Sequence, residues 1–286
     1  LALFLFDSPV EKLVFVHTPE VQAATVQSKT PVVVVVFDEF STTTLMNKSG
    51  GIDAGRFPNF AALAQDATWY RSASTVFWET VGAVPAILTG SRPKPNSVPT
   101  YAEYPRNLFT LLGKSYRLKV VETLTHLCPT SLCPDSTASQ EVSGAAGSLA
   151  SDAGVVYLHL LVPNPYAADL PPISDSWGNF GGKAQAKEEP VRRTASGEIE
   201  PCARSVCRFT DELSSDPEPT LYFLHTALPH WPYFYLPSGR RNDVQERPLG
   251  GYKNGHWLAT WPALQGKQRY MLQLGYTDRA LGLILQ

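Results

Sequence analysis

The sequence has little net charge, few cysteines, no detectable internal repeat and no hydrophobic run long enough to cross a bilayer. Lys and Arg number 24 against 26 Asp and Glu, a formal net charge of -2 over 286 residues. Without a basic excess there is no sign of a nucleic-acid face. Charged residues make up 17% and hydrophobic ones 43%, which reads as globular rather than disordered. The opening "LALFLFDSPVEKLVFVHTPEV" is interrupted by Asp7, Glu11 and Lys12. It therefore falls short of the ~20 apolar residues a membrane-spanning helix needs. Residues 1–30 read either as a loosely packed N-terminal arm or as the juxtamembrane tail of a membrane anchor upstream of Leu1.

The four cysteines form two local pairs, Cys128 with Cys133 and Cys202 with Cys207. A C-x4-C spacing is loose for zinc, and no histidine falls at a finger-like distance. Two readings stay open. Short disulfides could staple loops that have little core of their own, which favours an extracytoplasmic compartment; otherwise the thiols are reduced and buried.

What is present is a strand and helix alternation. "VVVVVF" (Val32–Phe37) is too short for a helix and apolar on both faces, so it is expected to be the central strand of a parallel sheet covered by helices. "RFPNFAALAQDA" carries Phe57, Phe60, Ala61, Leu63 and Ala64 at helical spacing, with Pro58 tolerated in the first turn. "TWYRSAST" reads as a strand, "TVGAVPAILTG" as a helix closed by Gly90, and "PRNLFTLLGKSY" as a helix stopped near Gly113. "LKVVET" reads as a strand, and "SDAGVVYLHLLVPNP" has a helical pattern inside an irregular insertion over about 128–219. "TLYFLHT" restores an apolar strand. The last helix places Tyr270, Leu274, Thr277, Leu281 and Leu285 on one stripe. That stripe is expected to be exposed over Leu274, Leu281 and Leu285. The whole is an α/β fold.

Three stations carry chemistry. Asp38 and Glu39 follow the valine strand directly, where α/β sheets bind ligands. Two adjacent carboxylates repel unless a cation or a proton intervenes, so divalent metal ligation suits the pair; a turn-capping Asp beside a solvated Glu is the plain alternative. Thr80 stands where "TVGAVPAILTG" begins. It reads as a helix cap or, beside a metal, as a nucleophile. With Thr80 as the cap, Pro85 falls inside the helix and an irregular start is expected. His230, between Pro229 and Pro232, follows a strand end on the same rim. It reads as a structural surface histidine or as a ligand.

Together, the acids after the strand, "FPNFAALA", the helix ending "LTG", the "PHWP" loop and "YTDRALG" resemble the sulfatase-like branch of the alkaline phosphatase superfamily. The resemblance covers roughly Val32–Gly90 and Thr220–Gln286. It is closest to bacterial membrane-anchored sulfatase-family proteins. It implies an alkaline-phosphatase-like, mostly parallel sheet between helices over residues 31–286, a divalent cofactor, and a nucleophile at Thr80. The "CxPSR" signature is missing after Thr80, so formylglycine cannot form there. A threonine nucleophile is instead similar to that of lipoteichoic-acid-synthase-like phosphotransferases. The resemblance also places an Asp-His-Gly metal motif beyond Gln286, so this stretch alone is expected to be inactive.

The expected function is metal-dependent hydrolysis or transfer of phosphate or sulfate esters, with Thr80 attacking, His230 binding substrate and Asp38 and Glu39 on the metal. All-oxygen ligands lean towards Mg, Mn or Ca over Zn. The substrate would be an ester, with a cell-envelope lipid or glycan as its carrier, at the outer side of a cell membrane. The competing expectation is a catalytically inactive extracytoplasmic binding domain that keeps the fold.

Overall fold

A computed structural model describes residues 19–21, 24–95, 97–134, 145–163, 166, 170–171, 191–193, 199–214, 218–242, 252–253 and 256–286. The expectations for the first eighteen residues, and for much of the 128–219 insertion, lie outside the described residues.

Three strands form the main sheet. β1 (Val32–Phe37) and β2 (Arg117–Val121) each pair in parallel with β5 (Thr220–Thr226), giving the order β1-β5-β2. The central strand is therefore β5, buried along its whole length, and not β1 as the valine run suggests. β1 pairs only with β5 among the described residues, and Val33 is 53% exposed. An apolar-on-both-faces pattern detects coverage by helices; it does not say which strand has two neighbours. "TLYFLHT" carries the same pattern and takes the middle.

Strand alternation sends successive side chains to opposite faces. On one face Val34, Val36, Val120, Leu221 and Phe223 join Val84 and Leu88 of α3 (Thr80–Thr89) and Phe109 and Leu112 of α4 (Leu108–Leu112). On the other, Val35, Phe37, Val121, Tyr222 and Leu224 meet Val206 and Phe209 of α6 (Arg204–Glu212) and Tyr276, Ala280 and Ile284 of α7 (Thr260–Ile284). The result is a three-layer α/β arrangement. The small α1 (Thr42–Leu45) and α2 (Pro58–Asp66) pack at the β1 side through Leu45, Phe57 and Phe60, against Leu274. The remaining described elements are α5 (Ala145–Leu161), the antiparallel pair β3 (Val191–Arg193) and β4 (Ile199–Pro201), and the short pair β6 (Tyr252–Lys253) with β7 (His256–Trp257).

Several expectations change. Residues 68–75 form no strand: all but Trp69 are exposed, and without a partner or a buried face the β pattern has nothing to support it. Within the expected irregular stretch, "RSVCRFTDE" is the helix α6, tied down at its start by Cys202–Cys207. Both local disulfides are formed. The stripe of α7 is not exposed: Leu274 and Leu281 are buried, and only Leu285 stays open at 51%. Its cover comes from α2, α6 and the sheet.

"FPNF" and "YTDRALG" prove to be two sides of one contact. α2 has no cap of its own at Phe57. Asp278 of α7 supplies it, accepting from Asn59 N (3.3 Å), Asn59 Nδ2 (2.8 Å) and Phe60 N (2.9 Å). A carboxylate at a helix start satisfies orphan N–H groups and the positive dipole end. Gly282 lets the helices meet, since a Cβ there would lie 2.5 Å from Asn59 Oδ1.

Candidate active site

The site sits at the carboxyl ends of β1 and β5. One more backbone bond, Asp38 N to Thr226 O at 3.1 Å, extends the ladder past Phe37. The chain then turns sharply: Glu39 has φ 54°, the only positive φ outside glycine among the described residues. Such a backbone state in a residue with a Cβ is a cost that marks functional turns.

That turn sends the two acids to different partners. Thr80 Oγ1 donates to Asp38, 2.8 Å from Oδ1 and 3.1 Å from Oδ2. Glu39 Oε2 instead accepts from Trp231 N at 3.3 Å and lies 4.0 Å from His230 Nε2. Tyr270 Oη donates to the Glu39 carbonyl at 3.0 Å. Asp38 is thus committed to the nucleophile candidate and Glu39 to the histidine loop. The four residues singled out in the sequence form two adjoining pairs.

Thr80 is not the helix cap. Glu79 holds that place and gives no side-chain cap bond, while Thr80 is the first residue of α3. Its hydroxyl is free to serve Asp38. Gly82 and Ala83 donate backbone N–H groups to Glu79 O, so the helix start is regular despite Pro85. Gly82 admits the Phe77 ring, which a Cβ would approach to 2.3 Å. Next to it Trp78 stands 84% exposed, two residues before Thr80.

The His230 loop is held from below by Gln273 of α7, which is buried. Gln273 Nε2 lies 3.2, 2.7 and 3.3 Å from the carbonyls of Pro229, His230 and Pro232. Its Oε1 accepts from Tyr235 N at 3.1 Å. One amide therefore fixes the loop that presents His230. The His230 ring turns Nδ1 to the Trp231 carbonyl, which leaves Nε2 on the Glu39 side.

His225 was not singled out as a site residue. It is fully buried on β5, and neither ring nitrogen has a hydrogen-bond partner. Burial pulls its pKa down while the Asp38 charge opposes the fall. The available signal was a lone polar residue at an inward position of a buried apolar strand. Gln273 carried no local signal, and Asp278 lies in "YTDRALG" without anything local that shows its contact with α2.

No group of three or more His, Cys, Asp and Glu that could hold a metal occurs among the described residues. The donors that do fit a divalent cation are the Asp38 carboxylate and the Thr80 hydroxyl, both partly exposed at a strand end. No helix among the described residues is long and apolar enough to cross a membrane. Comparison with family models, curated proteins and solved structures gives no match.

Proposed function

We propose that this domain is a metal-dependent hydrolase or transferase of phosphate esters that works through Thr80. One observation carries the reading: a hydroxyl at the start of α3 donates to both oxygens of an acid 42 residues earlier, at the end of β1. A hydroxyl becomes a nucleophile when a neighbouring group takes up its proton or lowers its pKa. Asp38 accepts that hydroxyl's hydrogen bond and so stands where the proton would go. The start of a ten-residue helix favours the anionic part of a substrate in front of it.

Asp38 and Thr80 would hold the cation, with Glu39 as a further carboxylate of the same turn. When bound, the cation would favour the alkoxide of Thr80 and offset the negative charge that develops on the phosphoryl oxygens. Thr80 Oγ attacks phosphorus as the ester P–O bond breaks, and its proton passes to the Asp38 side. The departing oxygen takes a proton from solvent or from the His230 side. Water, or an acceptor hydroxyl in a transferase, then attacks the phosphothreonine and releases Thr80. His230, fixed by Gln273 and Glu39, contacts the substrate's charged oxygens or its leaving group.

Sulfate esters are the weaker alternative, because threonine cannot become formylglycine. An extracytoplasmic setting at a membrane, with an envelope lipid or glycan ester as substrate, rests on the sulfatase-like resemblance. The two disulfides support an oxidising compartment. The inactive binding domain has in its favour the missing "CxPSR" signature and the engagement of Glu39 by Trp231 and His230.

The test is turnover of an aryl phosphodiester by the protein that carries this domain, with rapid quenching and peptide mass spectrometry. A phosphate on Thr80 is expected, and Thr80→Ala should abolish turnover while Thr80→Ser retains part of it. Undiminished turnover in Thr80→Ala would remove Thr80 from the reaction. Ester binding without turnover would favour the binding domain.

A further inference from the structure

We infer that His225 supplies a nitrogen ligand to the cation held by Asp38 and Thr80, making this a site for Zn2+ or Co2+ rather than Mg2+ or Ca2+. The inference rests on the metal reading above and deepens it.

A buried imidazole has one donor and one acceptor, and each unpaired group costs its full desolvation. His225 is 0% exposed with both nitrogens unpartnered. Such a residue calls for an absent water, ion or ligand. Register says where the ring faces. His225 pairs with Val36, so alternation places it on the face of Val36, Val34 and Phe223, the face covered by α3. Asp38, two residues beyond Val36, returns to that side and meets Thr80 of the same helix.

The Asp38 backbone N–H bonds the carbonyl of Thr226, the residue after His225, at 3.1 Å, so acid and ring lie at the same end of neighbouring strands, yet no hydrogen bond joins them. A body between the two satisfies both. A cation does so directly, taking the carboxylate, the hydroxyl and a lone pair of the neutral ring. Thr123 Oγ1 donates to the His225 carbonyl, pinning the strand from the β2 side. Oxygen donors alone suit Mg2+ and Ca2+; one imidazole shifts preference towards Zn2+ and Co2+. The expected preference for Mg, Mn or Ca over Zn is reversed by this ligand.

The experiment loads chelator-treated protein with Zn2+ in equilibrium dialysis and records zinc-edge X-ray absorption, beside Asp38→Asn, His225→Gln and His230→Gln. The expected result is imidazole scattering in the wild type and in His230→Gln, and a loss of Zn2+ affinity of about 100-fold or more in His225→Gln. Asp38→Asn should lose binding altogether. Zn2+ binding that needs Asp38 but is unchanged in His225→Gln overturns the inference and leaves the metal reading standing. So does an absorption spectrum without imidazole, or one whose imidazole disappears in His230→Gln. Failure of the wild type to bind Zn2+, Co2+, Mn2+, Mg2+ or Ca2+ overturns both. Should His225→Gln not fold, His225→Asn takes its place in the same dialysis and absorption measurements, with the same two outcomes.

Discussion

Strands β1 and β2 each run into an acid at their carboxyl end, and the two acids live in opposite surroundings. Glu122, one residue after β2, is 2% exposed. Its oxygens accept from Thr125 Oγ1 (2.7 Å), Leu127 N (3.0 Å) and Cys128 N (3.0 Å). All three donors come from its own loop, which leads into the Cys128–Cys133 disulfide. Asp38, one residue after β1, is partly exposed and shares a hydroxyl from a distant helix. A buried carboxylate that already accepts three hydrogen bonds is poorly placed to take a ligand; an open one beside a hydroxyl is better placed. Position at a strand end is thus shared by a structural acid and a candidate functional one, and they differ in the source of their donors.

The largest expected effect separates the two acids by activity. Asp38→Asn should lower phosphodiester turnover by about 1,000-fold or more, since the cation and the Thr80 proton both lose their carboxylate. Its unfolding midpoint should barely move, because a partly exposed acid leaves little stranded. Glu122→Gln should leave the turnover of folded protein unchanged. Equal losses of activity in both variants would break the distinction.

Stability should show the reverse. Glu122→Ala strands the Leu127 and Cys128 N–H groups and the Thr125 hydroxyl in a dry site. At about 1–3 kcal/mol for each of the three orphaned groups, the loss should be on the order of 3–9 kcal/mol. Urea unfolding measures it. A loss no larger than that of Asp38→Ala would show that the Glu122 contacts do not hold the loop.

Glu122 also sets a pH dependence of opposite sign to the usual paired acid. Burial raises its pKa above 4.5, against the pull of the Leu127, Cys128 and Thr125 hydrogen bonds. A raised folded pKa means the native state holds the proton more tightly than the unfolded chain. Its contribution is fully present below the unfolded pKa and fades as pH climbs through the folded one. Wild-type unfolding free energy should therefore fall as pH rises from about 4.5, the unperturbed value for this group, and that slope should vanish in Glu122→Gln. A slope that persists in the variant assigns it to other groups.

Much of this was legible in the sequence because it is local. The strands "VVVVVF" and "TLYFLHT", the helix closed by Gly90 and the two C-x4-C staples each declare themselves within a few residues. The Asp38–Thr80 meeting was expected through the sulfatase-like resemblance, which sets the acids after the strand and the start of the helix at one site. What stayed hidden depends on distant partners. Nothing near Gln273 shows that its amide will collect three carbonyls from a loop some forty residues away. The place of β1 in the sheet could not be read from its valines, because burial on two faces is common to middle and edge strands under helices. His230 stands out in the sequence because prolines mark a rigid loop, whereas the unsatisfied ring of His225 is visible only once its neighbours are known.

The smallest expected effect concerns a third acid, and it tests whether donor origin is a sound criterion. Asp278 resembles Glu122 in being buried and saturated, and Asp38 in taking its donors from a distant element. Its partners are the first N–H groups of α2 and the Asn59 amide, so its role is to cap a helix and join it to α7. Asp278→Asn keeps an acceptor for Phe60 N but loses the charge at the helix start and opposes one amide group to another. The cost should be about 1–2 kcal/mol, from the helix-dipole share and one strained hydrogen bond. Turnover of folded protein should be unaltered, because α2 presents none of Asp38, Thr80, His225 or His230. Denaturant unfolding and the phosphodiester assay on the same preparation give the answer. A stability loss of this size with intact kcat places Asp278 with Glu122; a fall in kcat with unchanged stability would mean that the "YTDRALG" helix acts on the reaction, and that saturation by backbone donors does not by itself mark an acid as structural.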